Sequence, residues 1–151
     1  MKIRKRLAEI QVRYSHRISG KDAVQVTSSR DVFNILMAIW EQELIAYREA
    51  FVVLLLNRAN KVMGYRWISH GGISGTVVDV RHIFALALKC NATSVIIAHN
   101  HPSTNLQPSQ ADIDLTRKIR QGGELLDILV LDHIIVTPDH RYFSFADEGL
   151  L

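Results

Sequence analysis

Cysteine is almost missing from this chain: Cys90 is the only one in 151 residues. That excludes a disulfide framework and any C-x-x-C metal or redox pair. The single thiol, beside a helical stretch at residues 81–89, reads as a packed side chain rather than a nucleophile. Long apolar runs are missing too. The longest unbroken one, residues 51–56, falls far short of the ~20 residues that span a bilayer. Residues 1–6 are basic but no apolar segment follows them, so they do not read as a signal peptide. The expectation is a cytoplasmic protein with no membrane partner. Gly71, Gly72 and Gly75 precede no G-K-[ST] or G-x-G-x-x-G pattern, which argues against a phosphate-binding loop and for tight turns. Internal repeats and low-complexity linkers are also lacking.

What is present is enough for one compact domain over residues 1–151. At 48% hydrophobic, the chain can bury a substantial core unaided. Its net charge of +3 is unevenly spread. Residues 1–30 hold eight Lys/Arg against two Asp/Glu, whereas the remainder holds ten against thirteen. A basic arm of this kind can meet phosphates of nucleic acid. Residues 9–14 alternate polar and apolar, however, and no aromatic side chains interleave the charges. A half-exposed edge strand protected by its charges is the preferred reading of residues 1–26.

Helical and strand patterns alternate along the rest. Ser28-Ser29 can cap a helix over residues 31–43 with Val32, Ile35, Leu36 and Ile39 inward. Residues 51–57 and 62–69 read as an antiparallel hairpin turning near residues 58–61. Asp79 can cap a helix that buries Val80, Ile83, Phe84, Ala87 and Leu88. A buried strand at residues 94–98 and a helix from Ser109, ended by Gly122-Gly123, come next. Strands over residues 128–137 and 141–145 complete the pattern. The fold class is α/β, a mixed sheet with helices packed on its faces.

The chemistry concentrates in His99-Asn100-His101-Pro102, followed by Ser109 and Asp112. Residues i and i+2 of a strand point to one side with Cα atoms about 6–7 Å apart, so His99 and His101 can converge while Asn100 points away. Pro102 cannot donate to a sheet ladder, so the chain leaves the sheet there. Ser109 reads as a helix N-cap with Asp112 at the third helical position. That pair is also an ordinary acidic capping box. Joined to H-x-H, it supplies a third metal ligand: His99, His101 and Asp112. Two imidazoles and one carboxylate leave a fourth tetrahedral position open, as catalytic zinc sites do, and one Zn²⁺ per chain is expected. Hydrolysis would further need a proton acceptor, for which Glu41, Glu43 and Glu49 are the upstream candidates. His133, inside an apolar strand, reads as buried and hydrogen-bonded, with a supporting position near the metal as the alternative. His16, His70, His82 and His140 lack ligand spacing and read as surface residues.

The spacing H-x-H-P followed by S-x-x-D resembles the JAMM motif of JAB/MPN-type zinc metallopeptidases. Ala98-His99-Asn100-His101-Pro102-Ser103, Leu131-Asp132-His133-Ile134-Ile135-Val136 and the ending from Tyr142 through Leu150 look specifically like the RadC branch. The similarity covers residues 27–151. It implies a JAB/MPN-like fold, a zinc-dependent hydrolase of peptide or isopeptide bonds, and a peptide or protein substrate. It also implies Glu49 as general base and acid, and a Ser109 hydroxyl that hydrogen-bonds the oxyanion. RadC proteins resemble this domain preceded by a helix-hairpin-helix region, which the chain is expected to lack. Two rival readings stand beside the hydrolase: a DNA-associated accessory protein using the basic N-terminus, and a non-catalytic JAB domain that binds protein.

Overall fold

The computed structural model describes residues 13, 21–71 and 77–151. Most of the proposed edge strand at residues 9–14, the basic residues before it, His16, and the turns at Gly72 and Gly75 lie outside the described residues.

Helix α1 (Ser29–Ile39) begins at a reciprocal cap. Ser28 Oγ accepts from the Asp31 amide at 3.3 Å, and the Asp31 carboxylate accepts from the Ser28 amide at 3.0 Å. The expected single helix over residues 31–43 is corrected to two pieces. α1 stops at Ile39, Trp40 is extended, and a short α2 (Gln42–Ile45) follows. The break lets Trp40 turn inward and meet Trp67 edge-on, with ring centroids 4.8 Å apart. It also redirects the chain toward the sheet, carrying Arg48 and Glu49 to the start of β1.

Strand β1 (Ala50–Leu56) is buried along its whole length, as expected for an unbroken apolar run. It pairs antiparallel with β2 (Val62–His70) through a turn in which Asn57 Oδ1 accepts from the Ala59 and Lys61 amides. On its other side β1 pairs antiparallel with β3 (Ser94–Asn100). β3 in turn runs parallel to β4 (Leu129–Val136), and β4 pairs antiparallel with β5 (Tyr142–Ser144). The order β2-β1-β3-β4-β5 makes one five-stranded mixed sheet in a single α/β domain.

Alternation along the strands divides the core in two. Val52, Leu54, Leu56, Ile96, Ala98 and Ile134 pack beneath α1. Phe51, Val53, Val95 and Ile97 pack on the opposite face beneath α3 (Val80–Lys89) and α4 (Gln110–Leu125). Asp79 caps α3 as expected, accepting from the Arg81 amide at 3.0 Å. Leu88 is a correction: it is 53% exposed, because it lies off the Ile83, Phe84 and Ala87 stripe that α3 turns to the sheet. Cys90 packs against that same core, and burial pushes its thiol upward, away from a reactive thiolate.

Helix α4 supplies the parallel crossover from β3 to β4, and it corrects another expectation. It runs through Gly122-Gly123 to Leu125 instead of ending there. Gly123 serves close approach: a Cβ at that position would lie 2.3 Å from the Ile128 carbonyl oxygen. No helix among the described residues is long and apolar enough to cross a membrane.

Candidate metal centre

Strand alternation sends His99 and Asn100 to opposite faces at the end of β3. His99 lies with Phe51 beneath α4, their rings stacked with centroids 6.1 Å apart. Asn100, fully buried on the α1 side, accepts from the Ala50 amide at 2.7 Å and donates to the Ile45 and Arg48 carbonyls at 2.7 and 2.9 Å. These three bonds clamp the segment between α2 and β1, which carries Glu49. His101 holds the strand direction one step longer, its amide donating to the Val136 carbonyl at 3.0 Å, before Pro102 turns the chain away. The loop then folds back so that His101 Nδ1 donates to the Asn105 carbonyl at 2.6 Å.

The start of α4 completes the cluster. Ser109 Oγ accepts from the Asp112 amide at 3.1 Å, and Asp112 Oδ2 accepts from the Ser109 amide at 2.7 Å. The capping box and the ligand position are therefore the same carboxylate. Its Oδ1 lies 3.2 Å from His99 Nε2, its Oδ2 lies 3.3 Å from His101 Nε2, and the two Nε2 atoms are 3.0 Å apart. Donor atoms roughly 2.0–2.1 Å from a tetrahedral ion would stand about 3.3 Å from one another. The two nitrogens stand near that edge length, and each faces a different oxygen of the carboxylate at a similar distance.

The donor chemistry fits as well. A neutral His101 already spends its proton on the Asn105 carbonyl, so its Nε2 offers a lone pair toward His99 Nε2 and Asp112. Lone pairs and a carboxylate at such distances require a cation between them, a proton or a metal. Among the described residues, His99, His101 and Asp112 form a group able to hold a metal ion.

Electrostatics agree with this. In the metal-free chain a proton stands where the cation would: burial pushes the Asp112 carboxyl upward, but hydrogen bonds from His101 and His99 outweigh it and hold the group far below the carboxylate range. The Asp112 hydrogen bond raises His101; burial opposes this, while the Asn105 carbonyl and the Asp112 and Glu49 charges reinforce it. Burial drives His133 well below the ordinary histidine value, so it is a neutral imidazole. His133 Nε2 sits 2.8 Å from His99 Nδ1, and its ring stacks on Phe145.

Glu49 directly precedes β1. Phe51 is opposite His99 and Val52 opposite Ala98, and a continuation of that register beyond the strand would set Glu49 opposite His101. Glu41 and Glu43 are exposed near α2, outside that register. Ser109 is exposed at the helix start, and because its oxygen accepts from Asp112, its own O–H is left to donate. His70, His82 and His140 are exposed, as expected. One residue escaped the sequence reading. Thr116, buried one turn after Asp112, lies 2.6 Å from both the Asp112 carbonyl oxygen and His133 Nδ1. Its i+4 spacing from Asp112 was the available signal, but only the neighbouring strand gives that spacing a meaning.

A mixed α/β sheet that ends in two histidines beneath a capping aspartate is the arrangement of a JAB-type domain. Residues 26–150 match the model of the RadC-like JAB domain, and the chain belongs to that family. It is 48% identical over 126 residues to a UPF0758 protein of Flavobacterium johnsoniae, covering 83% of this chain and 53% of that relative. It is 45% identical over 104 residues to a UPF0758 protein of Porphyromonas gingivalis, covering 69% and 46%. A UPF0758 protein of Staphylococcus haemolyticus is 39% identical over 128 residues, covering 85% and 54%. The chain thus spans about half the length of the curated relatives it matches.

Proposed function

We propose that this RadC-like JAB domain is a zinc-dependent hydrolase of peptide or isopeptide bonds. The observation that carries the reading is the convergence of two imidazole Nε2 atoms and one carboxylate at 3.0–3.3 Å. A donor set of two imidazole nitrogens and a carboxylate suits zinc. Zinc held there would lower the pKa of water to about 7 and polarise the scissile carbonyl. Glu49 takes the proton from the attacking water and passes it to the leaving amine. The Ser109 hydroxyl donates to the carbonyl oxygen as negative charge develops on it. Phe51, stacked on His99, and the Asn105 carbonyl on His101 keep both rings in place.

Elemental analysis of protein purified without added metal tests this directly. About one zinc per chain, with peptide cleavage that a chelator abolishes, is the expected result. Absence of zinc after attempted reconstitution would overturn it. A cytoplasmic location belongs to the same proposal and is checked by fractionation.

One observation favours a second reading, the DNA-associated accessory protein: eight basic residues fall within positions 1–30. Salt-dependent binding to DNA of no particular sequence would support it.

A further inference from the structure

We propose that Thr116 and His133 form a one-way hydrogen-bond chain that fixes the tautomer of His99 and ties it to Asp112. The inference rests on the metal-site reading above and adds the residues that prepare the site.

The direction follows from counting protons. The Asp112 main-chain carbonyl can only accept, so the Thr116 hydroxyl, 2.6 Å away, donates to it. The hydroxyl has a single proton, and its oxygen must therefore accept from His133 Nδ1 at 2.6 Å. A neutral imidazole with its proton on Nδ1 has a bare Nε2. That atom, 2.8 Å from His99 Nδ1, can only accept, which places the His99 proton on Nδ1. His99 Nε2 is then left with its lone pair directed at His101 Nε2 and Asp112 Oδ1. With His133 neutral, reversing any link would set two hydrogens or two lone pairs against each other between Thr116 and His99, whereas the retained direction leaves facing lone pairs only at the ligand atoms, where a cation would lie.

The chain also closes a ring. It starts on the main chain of Asp112 on α4, crosses His133 on β4 and ends on His99 of β3, whose Nε2 faces the Asp112 side chain. Two ligands from separate elements are thus held as a pair before any ion arrives. Every member is shielded: Thr116 is 2% exposed, His133 is fully buried between Phe145 and Phe51, and His99 is 3% exposed. Water cannot readily substitute for a missing partner. Thr116 and His133 are positioning residues, acting on the ion only through His99 and Asp112.

Two measurements on the full chain test this. Nitrogen-15 NMR of the histidine rings at pH 7.5 should find the His133 proton on Nδ1, with or without zinc; a proton on Nε2 overturns the proposal. Zinc affinity, measured against a competing chelator, should weaken about 10–100-fold for Thr116→Val and for His133→Phe, the range for losing a partner of a ligating histidine. Thr116→Ser, which keeps the hydroxyl, should stay within about threefold of the parent. Unweakened zinc binding by folded Thr116→Val overturns the chain while leaving the metal site standing. If the parent binds no zinc, the hydrolase reading fails, and the His133 proton position in the metal-free chain still decides this inference.

Discussion

Glu49 and Asp112 are both half-buried carboxylates at one corner of the sheet, yet their losses should look different. Asp112→Ala removes a proposed metal ligand and the acceptor that caps α4. Zinc should bind much more weakly, and the melting temperature should fall even without metal. Glu49→Gln keeps the shape but cannot accept a proton from water. It should retain full zinc occupancy while hydrolysis drops roughly 10²–10⁴-fold, the range for losing a general base. Near-normal cleavage by Glu49→Gln would transfer the role to Glu43 or Glu41. His101 contributes to the pH dependence of the metal-free protein. Its pKa is raised in the folded state, chiefly by the hydrogen bond to Asp112. The stabilisation is therefore complete below the unfolded-state value and is lost as pH rises through the elevated one. Metal-free melting temperature should decline across that window, and Asp112→Asn should flatten the decline. Zinc affinity should move the opposite way, rising with pH, because the ion competes with protons for the same atoms.

Among elements, two contacts decide how the site is assembled. Asn100 joins β3 to the segment entering β1 through three buried hydrogen bonds. Asn100→Ala strands those main-chain groups and should cost about 2–4 kcal/mol by denaturant titration. Hydrolysis should fall with it through the displaced Glu49, whereas zinc content should persist, since His99 and His101 point the other way. The second contact joins α4 to the turn before β4. Gly123→Ala would gain about 1 kcal/mol of helix propensity, but its Cβ would meet the Ile128 carbonyl oxygen. Main chain cannot yield as a flexible side chain can, so a net loss of about 1–3 kcal/mol is expected.

For the whole molecule, metal and basic arm should prove separable. Zinc at a hundred times its Kd should stabilise the chain by about 2.7 kcal/mol, several degrees in Tm for a domain of this size. Charge reversal at Arg4, Lys5 and Arg6 should leave that shift and the melting curve unchanged if residues 1–26 serve only as an edge. Submicromolar DNA binding at physiological salt, lost on the same reversal, would favour the accessory reading.

The sequence by itself determined the parts. Period-2 apolar runs, the Ser28 and Ser109 caps and the two-residue histidine spacing each depend on contacts within a few residues, so local patterns reveal them. The candidate His99, His101 and Asp112 cluster, the facing-away of Asn100 and the α/β class all follow from such short-range rules. The tertiary structure decided what depends on a distant neighbour. The helix break at Trp40 needs Trp67, and the continuation of α4 through Gly123 needs the Ile128 carbonyl. The family resemblance, not spacing, favours Glu49 over Glu41 and Glu43, because what a residue at the entry to β1 faces depends on the neighbouring strand β3. Thr116 looks like any small polar residue of a helix until β4 brings His133 to its hydroxyl. Hydrogen-bond direction is a property of the closed set of partners, and 17 residues of chain separate that pair.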